Sequence, residues 1–273
     1  MKGLQGKNII LTGATGGLGT ALAYEFIQRG AKIMAFDISS ERLTQWKEEL
    51  RKQNPNAEIQ CFTADVRDWA SMEQHYKAIE SSGNVDWVFH NAGIANIEPF
   101  LEESSDGFQR VMDINFNCIV PSTRYWLPKL KQRGGKIINM ASVAGHCAPT
   151  GLASYAASKF ALVGFTRSIQ MELLAERKKG RPQVDMVLVC PGFVATNIMQ
   201  IGQPGGFPKE YQFLVSTPKE CASAICKALF ANETEIYPTI NGKAILFFQR
   251  FLPDAMKQLN IFFAKKFDKK GNK

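Results

Sequence analysis

No uncharged apolar run in the 273 residues approaches the roughly 18 that a membrane-crossing helix needs, so no spanning segment is expected. Residues 1–8 set Lys2 and Lys7 around Leu4, without the apolar stretch of a signal peptide. Histidine is scarce, with three scattered residues, and the cysteines at 61, 118, 147, 190, 221 and 226 include no C-x-x-C pair. No metal-ligand spacing is present, so no metal is expected. The thiols read as reduced and mostly buried, in a cytoplasmic protein. Residues 1–240 are nearly neutral, which argues against nucleic acid as a partner of the main body.

Apolar residues make up 45 % of the chain and charged residues 21 %, an ordinary globular balance. Asn8 to Thr12 is a short apolar run that reads as a buried strand. It meets a glycine-rich turn, Gly13-Ala-Thr-Gly-Gly-Leu-Gly19. From Thr20 to Arg29 the apolar residues Leu22, Ala23, Phe26 and Ile27 keep helical spacing, with Gly30 as the stop. Strand, glycine turn and helix together cradle a pyrophosphate, because glycines admit close approach and the helix start offers free N–H groups. Lys32 to Phe36 is a second strand with Asp37 at its end, 24 residues past Gly13. A carboxylate there either accepts the hydroxyls of an adenosine ribose or serves only the following turn. In the first role it repels a 2′-phosphate and favours NAD over NADP.

The alternation continues. Helices are expected over 42–52, from Asp68 through Ile79, over 105–131 (one long amphipathic helix), over 153–176 and over 219–230. Strands are expected over 58–63, 85–89, 136–140 and 184–189, with an edge strand at 235–237. Repeating β-α units predict an α/β fold, a doubly wound parallel sheet of the Rossmann kind in a single domain. Ligands bind such sheets beyond the carboxyl ends of the strands. Gly13, Asp37, Asp65, Asn91, Ser142 and Pro191 all follow strand ends, so they converge on one edge. Residues 193–215 lack periodicity and hold Gly202, Pro204, Gly205, Gly206 and Pro208. They read either as a flap over the site or as a plain surface loop.

Tyr155 and Lys159 are four apart on a predicted helix, and so share a face. An ammonium beside a phenol is expected to pull the tyrosine below its usual value of about 10 and fit it for proton transfer. Ser142, thirteen residues upstream, is placed to bond the same substrate oxygen. Tyr125 and Lys129 repeat the spacing, but Pro128 is expected to break the helix between them, and Met112 stands where a serine would be needed.

These motifs together resemble the short-chain dehydrogenases/reductases, in the branch of roughly 250 residues, over about residues 6–240. Thr12-Gly13-x-x-x-Gly17-x-Gly19 is similar to the family's cofactor motif. The resemblance implies that Gly13, Thr15, Gly16, Gly17, Leu18 and Gly19 lie along the dinucleotide, with Asp37 at the ribose. It implies further that Asp65 and Val66 lie at the adenine, that Asn91-Ala92-Gly93 steadies the sheet beside the adenosine, and that Pro191, Gly192, Val194 and Thr196 hold the nicotinamide carboxamide. Asn115, Ser142, Tyr155 and Lys159 match the catalytic tetrad. Cys118 departs from the family's usual glycine, which implies altered helix packing only. The implied activity is hydride transfer between NAD, or less readily NADP, and a secondary alcohol or ketone. Tyr155 would be the general acid in reduction and the base in oxidation; Lys159 would bind the nicotinamide ribose, and Asn115 would position a water. A non-catalytic dinucleotide-binding scaffold or sensor is the alternative, and a longer-branch epimerase or dehydratase a third reading. The helices at 105–131 and 153–176 resemble those through which relatives form dimers or tetramers.

Residues 241–273 form a basic, aromatic-rich segment apart from the 1–240 domain. Eight basic residues stand there against Asp254 and Asp268, so the segment holds +6 of the net +8. Ala244 to Phe248, Phe251-Leu252 and Ile261 to Phe263 alternate with the cations, and Pro253 divides the segment into two helices. It packs on the body or a second subunit, lies on an anionic membrane surface, or stays a disordered tail. Aromatics near a flap suggest an apolar lipid- or steroid-like substrate. His146, Pro149, Phe193 and Met199 would line its pocket, or else simply pack.

Overall fold

A computed structural model describes residues 3–177, 183–196, 215–258 and 260–261. Seven parallel strands form one sheet: β1 (Asn8–Thr12), β2 (Lys32–Asp37), β3 (Ile59–Thr63), β4 (Trp87–His90), β5 (Gly135–Met140), β6 (Val184–Val189) and β7 (Glu235–Ile236). Their spatial order is β3-β2-β1-β4-β5-β6-β7. The order reverses between β1 and β4, and the ligand crevice of a doubly wound sheet opens at that reversal.

Neighbouring residues of each strand serve opposite faces, so both faces are apolar and the strands read as unbroken hydrophobic runs. Leu11, Phe89 and Val187 pack with α1 (Gly17–Ile27), α2 (Ser40–Gln53) and α7 (Pro218–Phe230). Ile10, Val88 and Met186 pack on the other face with α3 (Trp69–Ser82), α5 (Ile119–Arg133) and α6 (Ala153–Glu176). Helix starts follow local chemistry. Ser39 caps α2, Asp68 caps α3 as its position predicts, and Thr217 with Glu220 closes a reciprocal box on α7.

Two helical expectations need correction. The stretch 105–131 is not one regular helix: α4 (Ser105–Met112) and α5 are separated by a π-helical turn, Asp113–Asn117. Asp113 Oδ1 accepts from Gln109 Nε2 (2.8 Å) and Asn117 Nδ2 (2.7 Å), holding the widened turn from outside. Pro128 does not break α5. The carbonyl it deprives of a donor belongs to exposed Arg124, and water can satisfy it there. Lys129 Nζ therefore does lie over the Tyr125 ring, 4.2 Å from its centroid, but Tyr125 donates to Glu80 on the surface.

All six cysteines are free, and Cys147, Cys190, Cys221 and Cys226 are buried. Among the described residues no helix is long and apolar enough to cross a membrane, and no His, Cys, Asp and Glu cluster could hold a metal. After β7 the chain enters α8 (Ile240–Phe251), breaks at Leu252 and is helical again over 253–258. The division falls at Leu252, directly before Pro253. Ile240, Phe247, Phe248, Phe251 and Leu252 are exposed. Residues 197–214, most of the expected flap with Met199, lie outside the described residues, as do 262–273.

Candidate active site

The glycine turn is built on close approach. Gly13 has φ of +62°, and a Cβ there would lie 2.8 Å from Ala92 Cα. A Cβ on Gly19 would lie 2.2 Å from Gly13 O. Asn91 Nδ2 donates to the carbonyls of Thr12 (3.1 Å) and Gly13 (3.0 Å), and Thr12 Oγ1 accepts from the N–H groups of Asn91 (3.0 Å) and Ala92 (3.1 Å). The ends of β1 and β4 are thereby locked together beneath the turn. Gly16 caps α1 and, having no side chain, does not itself occupy the first N–H groups of the helix, where an anion would bind. Thr196 faces the turn, its Cγ2 3.5 Å from where a Gly17 Cβ would stand. These features fit a dinucleotide: a pyrophosphate on the α1 start between Gly13–Gly19 and Thr196.

Asp37 ends β2, nearly buried, and its carboxylate is already engaged. Oδ2 accepts from Thr15 N (3.1 Å) and Oγ1 (2.6 Å); Oδ1 accepts from Ile38 N (2.9 Å) and Arg42 Nη2 (3.0 Å). Ser39, not Asp37, caps the following helix. Asp65 pairs with Arg67 two residues on, and that guanidinium holds its carboxyl below the usual range. Beside it, Val66 lines a small cavity with Trp69, Tyr76, His90 and Cys118.

The π turn gives Asn115 its place. The extra residue turns its side chain inward, fully buried, where Oδ1 accepts from Ile94 N and Nδ2 donates to Ile94 O, each at 2.9 Å. Nδ2 also donates to Ser158 Oγ (3.0 Å) on α6. A Cβ on Gly93 would lie 3.2 Å from Asn115 Oδ1 and 3.6 Å from Lys159 Nζ, so these three meet. Lys159, buried, donates to Met140 O (2.8 Å), and its Nζ stands 5.5 Å from the Tyr155 ring centroid. Ser142 lies two residues past β5, with Oγ accepting from Ala144 N (3.1 Å).

The electrostatics differ from the simple expectation. Burial raises the Tyr155 phenol, a hydrogen bond with Ser142 pulls it back, and Lys159 makes no resolved contribution. Burial instead lowers Lys159 to about 8. The Lys159 ammonium donates to the Met140 carbonyl, and burial is the largest influence on both groups.

The sequence matches the family model for short chain dehydrogenases over residues 7–203. The chain belongs to that family. It is an NAD(P)-dependent alcohol dehydrogenase or ketone reductase. It is 32 % identical over 199 residues to 3beta-hydroxysteroid dehydrogenase 2 of Eggerthella lenta, covering 71 % of this chain and 74 % of that protein. It is 28 % identical over 257 residues to human epidermal retinol dehydrogenase 2, covering 92 % and 80 %. The fold matches a short-chain dehydrogenase of Burkholderia phymatum in complex with NAD, with a TM-score of 0.79 at 24 % identity over 95 % of this chain and 97 % of that one. It also matches one of Burkholderia cenocepacia in complex with NADP, with a TM-score of 0.76 at 24 % identity over 94 % and 98 %.

Two groups of residues escape motif reading in this short-chain dehydrogenase. One is a buried polar chain running from Tyr76 through Ser122, His90 and Asn139 to Thr166. Its signal was a histidine and an asparagine inside apolar strands, since buried polar groups require partners. The other is the Thr239–Asn241 pair at the start of α8, which no spacing announced.

Proposed function

We propose that the chain interconverts an apolar secondary alcohol and its ketone with NAD, using Tyr155 to move the proton. Three contacts carry this reading: a Cβ on Gly93 would meet Asn115 and Lys159, Lys159 stands over the Tyr155 ring, and Ser142 bonds the Tyr155 phenol, on the same sheet edge as the Gly13–Gly19 turn. Bound there, a nicotinamide dinucleotide would supply or take up the hydride. In reduction the carbonyl carbon gains that hydride and its oxygen takes the Tyr155 proton; in oxidation both leave. Ser142 holds the substrate oxygen, Lys159 binds the nicotinamide ribose, and Asn115 positions a water against Lys159. Asp65, Val66 and Asn91–Gly93 border the adenosine, while Pro191, Gly192, Val194 and Thr196 hold the carboxamide.

NAD is favoured over NADP because Asp37 presents a charged carboxylate where a 2′-phosphate would sit. Of its four donors, Arg42 is the one on an exposed side chain, 56 % accessible, so the ribose diol replaces that contact. The apolar substrate class rests on the exposed aromatics of α8, whose first turn holds the Phe193 peptide, and on relatives named for hydroxysteroid and retinol. Exposed Phe160, Met171 and Leu174 on α6 favour a homodimer through that helix. The exposed aromatics of α8 with the basic segment 241–273 favour peripheral contact with an anionic membrane surface.

The deciding experiment is a panel of steroid, retinoid and short polar alcohols and ketones with NAD(H) and NADP(H), following nicotinamide absorbance. Best turnover on short sugars would sink the apolar reading. Turnover retained by Tyr155→Phe would sink the assignment of the acid.

A further inference from the structure

The stretch Pro191–Gly192–Phe193 leaves β6 and is gripped from two sides. On one side the Pro191 carbonyl accepts from Val143 N (2.9 Å), one residue past Ser142. On the other stands the first turn of α8. Thr239, 2 % exposed, caps that helix, and its Oγ1 accepts from Gly192 N (2.9 Å) and Gly242 N (3.2 Å) while donating to Asn241 Oδ1 (2.9 Å). Asn241 then takes the next peptide by both its groups: Oδ1 accepts from Phe193 N (3.0 Å), and Nδ2 donates to Phe193 O (3.1 Å). The same Nδ2 lies 3.4 Å from Ser216 Oγ, and Ser216 is bridged to Val194.

The fit is backbone against backbone. A Cβ on Gly192 would lie 1.9 Å from Asn241 Oδ1 and 2.7 Å from Gly242 N. A Cβ on Gly242 would lie 3.0 Å from Gly192 N and 3.1 Å from Val143 Cγ1. Neither position has room for a side chain.

We infer that Thr239 and Asn241 are positioning residues for hydride transfer. They act through Gly192 and Phe193, setting where the Pro191–Thr196 stretch meets the nicotinamide, and the working unit therefore runs into α8 rather than ending at residue 240. This rests on the reading given under Proposed function. Thr239 supplies the acceptor for the Gly192 N–H, which would otherwise be buried unpaired, and a buried orphan donor shifts to find another partner. A small shift of this stretch misaligns the reacting carbon, which turnover feels and adenosine binding does not.

The test uses the full chain with Thr239→Val, Thr239→Ser and Asn241→Ala. Three quantities are measured: kcat, affinity for ADP-ribose (the dinucleotide without its nicotinamide), and the emission spectrum of bound NADH. Thr239→Val and Asn241→Ala are expected to lower kcat about tenfold or more and to shift NADH emission toward that of the free form, with ADP-ribose affinity held within about twofold. Thr239→Ser keeps the hydroxyl and should stay within about threefold of the parent kcat. Unchanged kcat and emission in the first two variants overturn the inference. So does a parallel loss of ADP-ribose affinity, which would mark a general loosening. The emission arm needs no turnover, so it still reports on the clasp if Tyr155 proves not to be the acid.

Discussion

His90 Nδ1 lies 2.8 Å from Asn139 Oδ1, side by side in register on β4 and β5, and the direction of that bond follows from its neighbours. Thr166 Oγ1 donates to the Leu162 carbonyl (2.7 Å), so it must accept from Asn139 Nδ2 (2.9 Å). That leaves Asn139 Oδ1 as an acceptor and makes His90 Nδ1 the protonated nitrogen. Nε2 then accepts from Ser122 Oγ (2.7 Å), which in turn accepts from Tyr76 Oη (3.0 Å). Five buried side chains thus form one directed chain from α3 to the helix that carries Tyr155 and Lys159.

This chain needs a neutral imidazole, and burial pushes His90 down to about 4 from its ordinary 6.5. Between those values the unfolded chain binds more protons than the folded one, so stability rises with pH across the window and is lost on acidification toward pH 4. The contribution present above pH 6.5 is about 3 kcal/mol. Urea unfolding at pH 7 and pH 4.5 measures it. His90→Phe should cost about 2–4 kcal/mol at pH 7, by orphaning Ser122 and Asn139, and should flatten the acid limb. An equally steep acid limb in that variant would place the titrating group elsewhere.

Burial raises Tyr155 and lowers Lys159 to about 8, which fixes the expected pH behaviour of the proposed site. Near neutrality the phenol is protonated and ready to act as an acid. Reduction should therefore be flat around pH 7 and fall in alkali, whereas oxidation, which needs the phenolate, should climb with pH from neutrality into alkali. Initial rates in both directions from pH 6 to 10 check this. An oxidation optimum near pH 6 contradicts it. Tyr155→Phe should lose about 10²–10⁴ in kcat with NADH affinity unchanged.

For cofactor choice, the informative pair is Asp37 and Arg42. Removing the carboxylate in Asp37→Ala takes away a repulsion and leaves Arg42 free to meet a 2′-phosphate. The ratio of kcat/KM for NADP to that for NAD should rise about tenfold or more. Arg42→Ala should move it the other way. If both variants keep the parent ratio, discrimination lies outside this corner.

What was legible in the sequence follows from what is locally written. Strand ends β1 and β6 and the whole of α6 match their apolar patterns to the residue, since both faces of a parallel sheet must be filled. Residues just past the strand ends landed on one edge for the same reason. The π turn was not legible, because its stability comes from Asn115 reaching Ile94 across the fold, although Asp113, Asn115 and Asn117 inside one helix were a local warning. The Lys159–Tyr155 electrostatics required orientation and burial, which spacing does not encode. Asn241 meeting Phe193 joins positions 48 apart with no periodic link between them.

The basic segment separates charge from catalysis if the clasp on Gly192 ends within the first turn of α8. Lys265, Lys266, Lys269 and Lys270 lie beyond that turn in sequence and supply half of the segment's eight cations. Each lysine near an anionic surface contributes about 1 kcal/mol, so changing all four to Gln should weaken sedimentation with phosphatidylserine vesicles by about 100-fold or more. Parent binding should also fall at 0.5 M salt, where screening shortens to a few ångströms. Turnover of a water-soluble alcohol by the Gln variant should stay at the parent level, because no clasp residue is touched. A parent chain that stays in the supernatant with anionic and neutral vesicles alike would reassign the exposed Phe247, Phe248 and Phe251 to a protein partner. A variant that keeps vesicle binding but loses turnover would mean that the lysines serve the site and not the surface.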